Sequence, residues 1–111
     1  MAFHFCAHAW EVCDIEDGTL VALSNRDLST DAVAVLVDEL YEIACEADHP
    51  NLCLDFERIG LVSSIVVAKM IVLDGQLRGI GGRLRAIHVN PTLYDLFIRM
   101  GLDDVIEIQR R

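Results

Sequence analysis

From residue 52 onward the chain alternates short apolar runs with longer runs of helical period, and this order limits the fold more than any other feature. Leu52-Cys-Leu-Asp-Phe56 has the length and apolarity of a buried strand. An apolar helical run follows from Ile65 to about Gly79, and Gly79-Ile-Gly-Gly82 ends it, because glycine supplies the left-handed conformation that a helix C-terminus favours. Arg83 to Val89 reads as the next strand. Asn90-Pro91 then opens a helix with a capping side chain and a proline whose fixed φ suits the first turn. Leu93, Leu96, Phe97 and Met100 form its core stripe, Gly101 closes it, and Val105-Ile-Glu-Ile108 is a last short strand. Such strand–helix–strand units require right-handed crossovers and largely parallel pairing.

The first half supplies a hairpin and one more helix. Phe3 to Trp10 alternates loosely and runs on to Ile15, Glu16-Asp17-Gly18 is a hairpin turn, and Thr19 to Ser24 returns as a second strand. Thr30 is the expected cap of the next helix, with Asp31 in the first turn, where the helix dipole favours a carboxylate. Val33, Leu36, Val37, Leu40, Ile43, Ala44 and Ala47 recur at helical spacing and mark its buried stripe. Asp38, Glu39, Glu42 and Glu46 lie on the other face, and His49-Pro50 stops the helix. The predicted order is β-β-α-β-α-β-α-β, a small mixed sheet flanked by helices in one α/β domain over residues 1–111.

Charge narrows the choice of partner. The 9 Lys and Arg against 18 Asp and Glu leave a formal charge of −9, which argues against nucleic acid or an anionic membrane surface. Residues 1–60 hold 13 acids and 2 bases, whereas residues 61–111 hold 5 acids and 7 bases, so the acidity belongs to the first helix and its flanks. The longest apolar stretch, Leu61 to Leu73, carries Lys69 and two serines and is too short to span a bilayer. No basic, apolar leader opens the chain, and Cys6, Cys13, Cys45 and Cys53 form no Cys-x-x-Cys pair, so reduced thiols in the cytoplasm are expected.

Few residues offer chemistry. His4, Cys6 and His8 would share one face of a strand, but no second ligand pair completes a tetrahedral set, and His49 and His88 stand alone; no metal or other cofactor is expected. Asp55 ends a strand beside Glu57 without a nucleophile elbow, a phosphate loop or a His-x-x-x-His pair, so no enzyme is expected. Gly79-Ile-Gly-Gly follows a helix and precedes a strand, the wrong side for a dinucleotide. The junction Leu61-Val-Ser-Ser-Ile-Val66 is the informative place. Ser63 or Ser64 caps the helix, or carries a phosphate that the free N–H groups and dipole of a helix start would accept. With Val66, Met70, Leu73 and Leu77 inward, the outer row is Ile65, Lys69, Val72 and Gln76, apolar enough to suggest a protein partner.

Leu52-Cys-Leu-Asp-Phe56, Leu61 to Met70, Gly81-Gly-Arg-Leu84, Asn90-Pro91 and Met100-Gly-Leu-Asp103, in that order, resemble the STAS domain of sulfate transporters and anti-sigma factor antagonists. The resemblance covers roughly residues 11–109 and implies that family's small sheet flanked by helices. It further implies a bacterial, non-enzymatic regulator of transcription that docks on a serine kinase acting as anti-sigma factor and is released by phosphorylation. Ser64 takes the place of the phosphorylated serine, Ser63 that of the family's Asp, and Val66 that of its Gly, as in a Leu-Ser-Ser version found in some members. Docking is then expected through Ile65, Lys69, Val72 and Gln76, with Asn25, Arg26 and Asp27 before the first helix and Asn90 after the fourth strand. The alternative within the same fold is a stand-alone STAS subunit or scaffold of a transporter or signalling assembly, in which both serines are caps only. The C-terminal helix of many relatives has no counterpart before Arg111, which would leave a free sheet edge for a homodimer.

Overall fold

The computed structural model describes residues 11–24 and 28–111. A hairpin of β1 (Glu11–Ile15) and β2 (Gly18–Ala22) leads to α1 (Thr30–Glu46). Then follow β3 (Leu52–Asp55), α2 (Ser64–Arg78), β4 (Leu84–Val89), α3 (Pro91–Arg99), a 3-10 turn (Leu102–Asp104) and β5 (Glu107–Arg110). The strands lie side by side in the order β1-β2-β3-β4-β5. The hairpin is antiparallel and the three remaining pairs are parallel. The α/β class and element order therefore match the expectation from sequence.

Because the strand order never reverses, every right-handed crossover falls on the same side of the sheet. Strand burial agrees: Thr19, Val21, Leu52, Leu54, Leu84, Ala86 and Val89 are buried on the helix side. Leu20, Ala22, Arg85 and Ile87 on the other side are only half-buried. Such a sheet has no switch point, and so lacks the crevice where doubly wound folds bind nucleotides.

The helix stripes fill the core as their spacing predicts. Val33, Leu36, Val37, Leu40, Ile43 and Ala44 of α1 are buried, as are Val66, Met70, Leu73 and Leu77 of α2. In the packed α3 layer, the Phe56 and Phe97 rings meet edge to face at 5.6 Å. Gly82 is required where the chain passes over Pro50, since a Cβ there would run into the Pro50 carbonyl.

Several details differ from the expectation. Ser29, not Thr30, caps α1, its Oγ accepting the Ala32 N–H at 3.2 Å; the two hydroxyl residues are adjacent, and the helix starts at Thr30, one residue earlier than a Thr30 cap would start it. Ala47 is the half-buried C-cap of that helix and no part of its buried stripe. The last strand is Glu107–Arg110, because the 3-10 turn at Leu102–Asp104 displaces it and Ile106 is buried in the core ahead of it. Leu23 and Ser24 fall outside β2, although the Leu23 N–H continues the ladder to the Asp55 carbonyl at 3.2 Å. The expected strand at Phe3–Trp10, the ligand row His4, Cys6 and His8, and the candidate residues Asn25, Arg26 and Asp27 lie outside the described residues.

One charge is fully buried. Asp74, on the inner side of α2, accepts the Leu84 N–H at 3.0 Å, while Arg83 Nε lies 3.4 Å from the same oxygen. Arg78 Nε lies 2.9 Å from the other oxygen as an ion pair, off the direction of a hydrogen bond. Both guanidiniums also donate to the Val105 carbonyl, at 3.1 and 2.8 Å. A single carboxylate thus joins the end of α2, the start of β4 and the turn before β5.

Candidate functional site

The loop from β3 to α2 is short and firmly seated. Its apolar residues Phe56, Ile59 and Val62 are buried, and the Ile59 N–H closes a turn onto the Phe56 carbonyl at 3.0 Å. The Asn90 side chain holds it from the other side. Its Nδ2 donates to the Ile59 and Gly60 carbonyls at 2.9 and 3.0 Å, and its Oδ1 accepts the Leu93 N–H at 2.8 Å. Asn90 was expected at the docking surface; the structure gives it the further task of capping α3 and anchoring this loop.

Ser63 stands at the N-cap of α2 in an extended conformation, with its carbonyl accepting the Val66 N–H at 3.1 Å. Its hydroxyl makes no capping hydrogen bond. Ser64 is the first helical residue, and both serines are exposed. Two hydroxyls therefore face solvent where the free N–H groups and the dipole of a 15-residue helix create a positive field. The first turn of α2 carries no acid to oppose an added anion.

Beside the serines the surface is apolar. Leu61 is 62% exposed, Ile65 47% and Val72 56%. Lys69 is half-buried and Gln76 exposed, so the predicted outer row does lie on the surface. Val66, by contrast, points into the core and is 1% exposed, so its bulk is taken up by packing. Leu61 was missed in the outer row because it precedes the helix; its apolarity within the polar-flanked junction was the available signal.

The fold also gathers residues that look unrelated in sequence. Asp55 at the end of β3, Glu57 just after it and His88 of β4 come together at the strand ends from which the loop departs. His88 had been read as isolated. At the opposite ends of the strands, a cleft of about 310 Å³ is lined by Asn51, Cys53, Arg83, Arg85 and Glu107, among others. Asn51 is structural there, donating to the Asp17 carbonyl at 2.8 Å and accepting the Arg83 N–H at 2.9 Å. Burial pushes the Cys53 thiol pKa up, and the neighbouring Arg85 guanidinium only partly offsets this. Among the described residues, Cys13, Cys45 and Cys53 are free thiols, and no helix is long and apolar enough to cross a membrane.

No family model and no curated protein matches the chain. Solved structures do. The protein TM1081 of Thermotoga maritima, determined by NMR, superposes with a TM-score of 0.82 at 11% identity, over 99% of this chain and 87% of that one. The anti-sigma factor antagonist SpoIIAA in its unphosphorylated form gives a TM-score of 0.74 at 18% identity, over 90% and 87% of the two chains. An anti-sigma-factor antagonist (STAS) domain protein from Planctomyces limnophilus gives 0.75 at 11% identity, over 92% and 90%. The chain has the fold of the STAS domain, and its structural neighbours are regulatory proteins of the antagonist class.

Proposed function

We propose that this protein is a non-enzymatic regulatory module that docks, through the surface around the start of α2, on a serine kinase of the anti-sigma factor type and is switched by phosphorylation of Ser64. The observation that carries this reading is the state of the two serines. Both are exposed at a helix N-terminus, the N-cap hydroxyl is not used for capping, and apolar Leu61, Ile65 and Val72 lie around them. A purely structural serine at that place would bond the helix. The −9 charge supports a protein partner over nucleic acid, and of the three helices α2 alone has a net positive formal charge, with Lys69 and Arg78 against Asp74. A phosphate on Ser64 would add a charge of about −1.5 to −2 beside the exposed apolar residues, which disfavours a dry contact there.

The test is incubation with ATP and a co-encoded serine kinase, followed by phosphopeptide mapping. Label on Ser64 that disappears in Ser64→Ala is the expected result. Absence of label on both Ser63 and Ser64, with a kinase active on another substrate, would overturn the switch and leave the scaffold reading.

A further inference from the structure

We propose that Asp55, Glu57 and His88 form a site for one divalent first-row transition-metal ion at the C-terminal ends of β3 and β4. The placement of His88 is the key. Its φ of 56° is the one positive value outside glycine among the described residues. It lies where the β4–β5 register shifts between Ala86 and Val89. Irregularities of this kind re-aim a side chain. This one brings the ring of His88 to β3, with Nδ1 2.9 Å from Asp55 Oδ1.

Glu57 completes the set from the first turn of the β3–α2 loop, where its N–H donates to Asp55 Oδ1 at 2.9 Å. One ligand atom from each of the three side chains lies within 4.8 Å of the others. Ligand atoms around a tetrahedral ion with bonds of about 2.0–2.1 Å stand roughly 3.3 Å apart. The His88–Asp55 contact therefore opens by a few tenths of an ångström, and the exposed Glu57 side chain swings inward, to seat an ion. An imidazole nitrogen with two carboxylate oxygens suits zinc, manganese or iron(II), and lacks the thiolates that copper(I) prefers. The charge also fits: two carboxylates face one imidazole. The guanidinium of Arg111 close by is directed at the Glu57 backbone carbonyl rather than its carboxylate. Asp55 is half-buried and the other two are exposed, so remaining positions on the ion are open to water. A bound ion would fasten the loop that carries Ser63 to β4.

Zinc titrated into the full chain, followed by calorimetry and by amide NMR shifts, tests the site. Saturation at one equivalent is expected, with shifts centred on residues 55–58 and 86–89. Asp55→Asn and His88→Asn should each weaken binding about tenfold or more. Asparagine tolerates the left-handed backbone at position 88, and a far-ultraviolet spectrum unchanged from the parent verifies the fold. Shifts confined to residues 1–13 and around Cys45, or full zinc affinity in His88→Asn, would overturn the proposal.

Discussion

Asn90 and Ile59 are 31 residues apart in sequence and are joined by a 2.9 Å hydrogen bond from the asparagine Nδ2 to the isoleucine carbonyl. The same side chain also caps α3. Asn90→Ala removes the cap and both loop bonds, and a lost cap alone costs about 1 kcal/mol. A loss of roughly 2–3 kcal/mol in urea denaturation is expected once the two bonded carbonyls are counted. Asn90→Asp keeps the cap oxygen but not the donors, so it should retain the α3 cap while speeding amide exchange at Gly60–Ser64.

The two N-cap serines should behave differently. Ser29 bonds the Ala32 N–H, whereas the Ser63 hydroxyl bonds nothing in its helix. Ser29→Ala is expected to cost about 1 kcal/mol. Ser63→Ala should stay within about 0.5 kcal/mol of the parent. Equal losses in chemical denaturation would show that Ser63 is a working cap.

Exposed apolar residues on α2 offer a second separation, of binding from stability. Ile65→Lys and Val72→Lys replace side chains that are 47% and 56% exposed. Thermal melts should shift little, since surface substitutions usually change stability by no more than about 0.5 kcal/mol. Pull-down of the partner kinase should be lost. Retained pull-down by both variants would place the docking surface elsewhere.

Asp74 sets up an asymmetry. Arg78 and Arg83 are half-exposed and can be hydrated without their partner, whereas the carboxylate is fully buried. Asp74→Asn should therefore cost about 1–3 kcal/mol, chiefly through weakened bonding of the Leu84 N–H. The double variant Arg78→Ala, Arg83→Ala leaves a buried charge unpaired and should cost more, roughly 3–5 kcal/mol. Urea denaturation of the three proteins checks the order.

Burial raises the Cys53 thiol pKa above that of the unfolded chain. The folded protein thus holds this proton to higher pH than the unfolded chain does. The contribution to stability is complete below the unfolded thiol pKa of about 8.5 and is lost as pH rises through the folded value. Urea midpoints should fall between pH 8 and 9.5, and fall less in Cys53→Ala. Peptide-resolved alkylation should modify exposed Cys45 well before Cys53.

How far this could be read in advance depended on the range of the forces involved. The α1 and α2 stripes are local periodicities, and each of their central residues is buried. The Asn90-Pro91 start is likewise local, and the cap is where the dipeptide puts it. Between neighbouring hydroxyl residues the sequence carries no such signal, so Ser29 and Thr30 could not be told apart without the backbone. Val105 and Ile106 have strand-like side chains, but the 3-10 turn before them leaves Val105 half-buried against the core and Ile106 buried within it, ahead of the strand. His88 and Asp55, 33 residues apart, meet only because a register shift turns one side chain, which composition and spacing do not encode. The outer row of α2 was legible; the bonding state of its serines was not.

The central claim is that charge on Ser64 controls docking, and it is tested most directly by the affinity of the partner kinase for the protein with and without phosphate at that residue. The prediction is a loss of tenfold or more, about 1.4 kcal/mol, on phosphorylation, with Ser64→Ala binding as tightly as the unmodified protein. Equal affinity for the phosphorylated and unphosphorylated forms would contradict it.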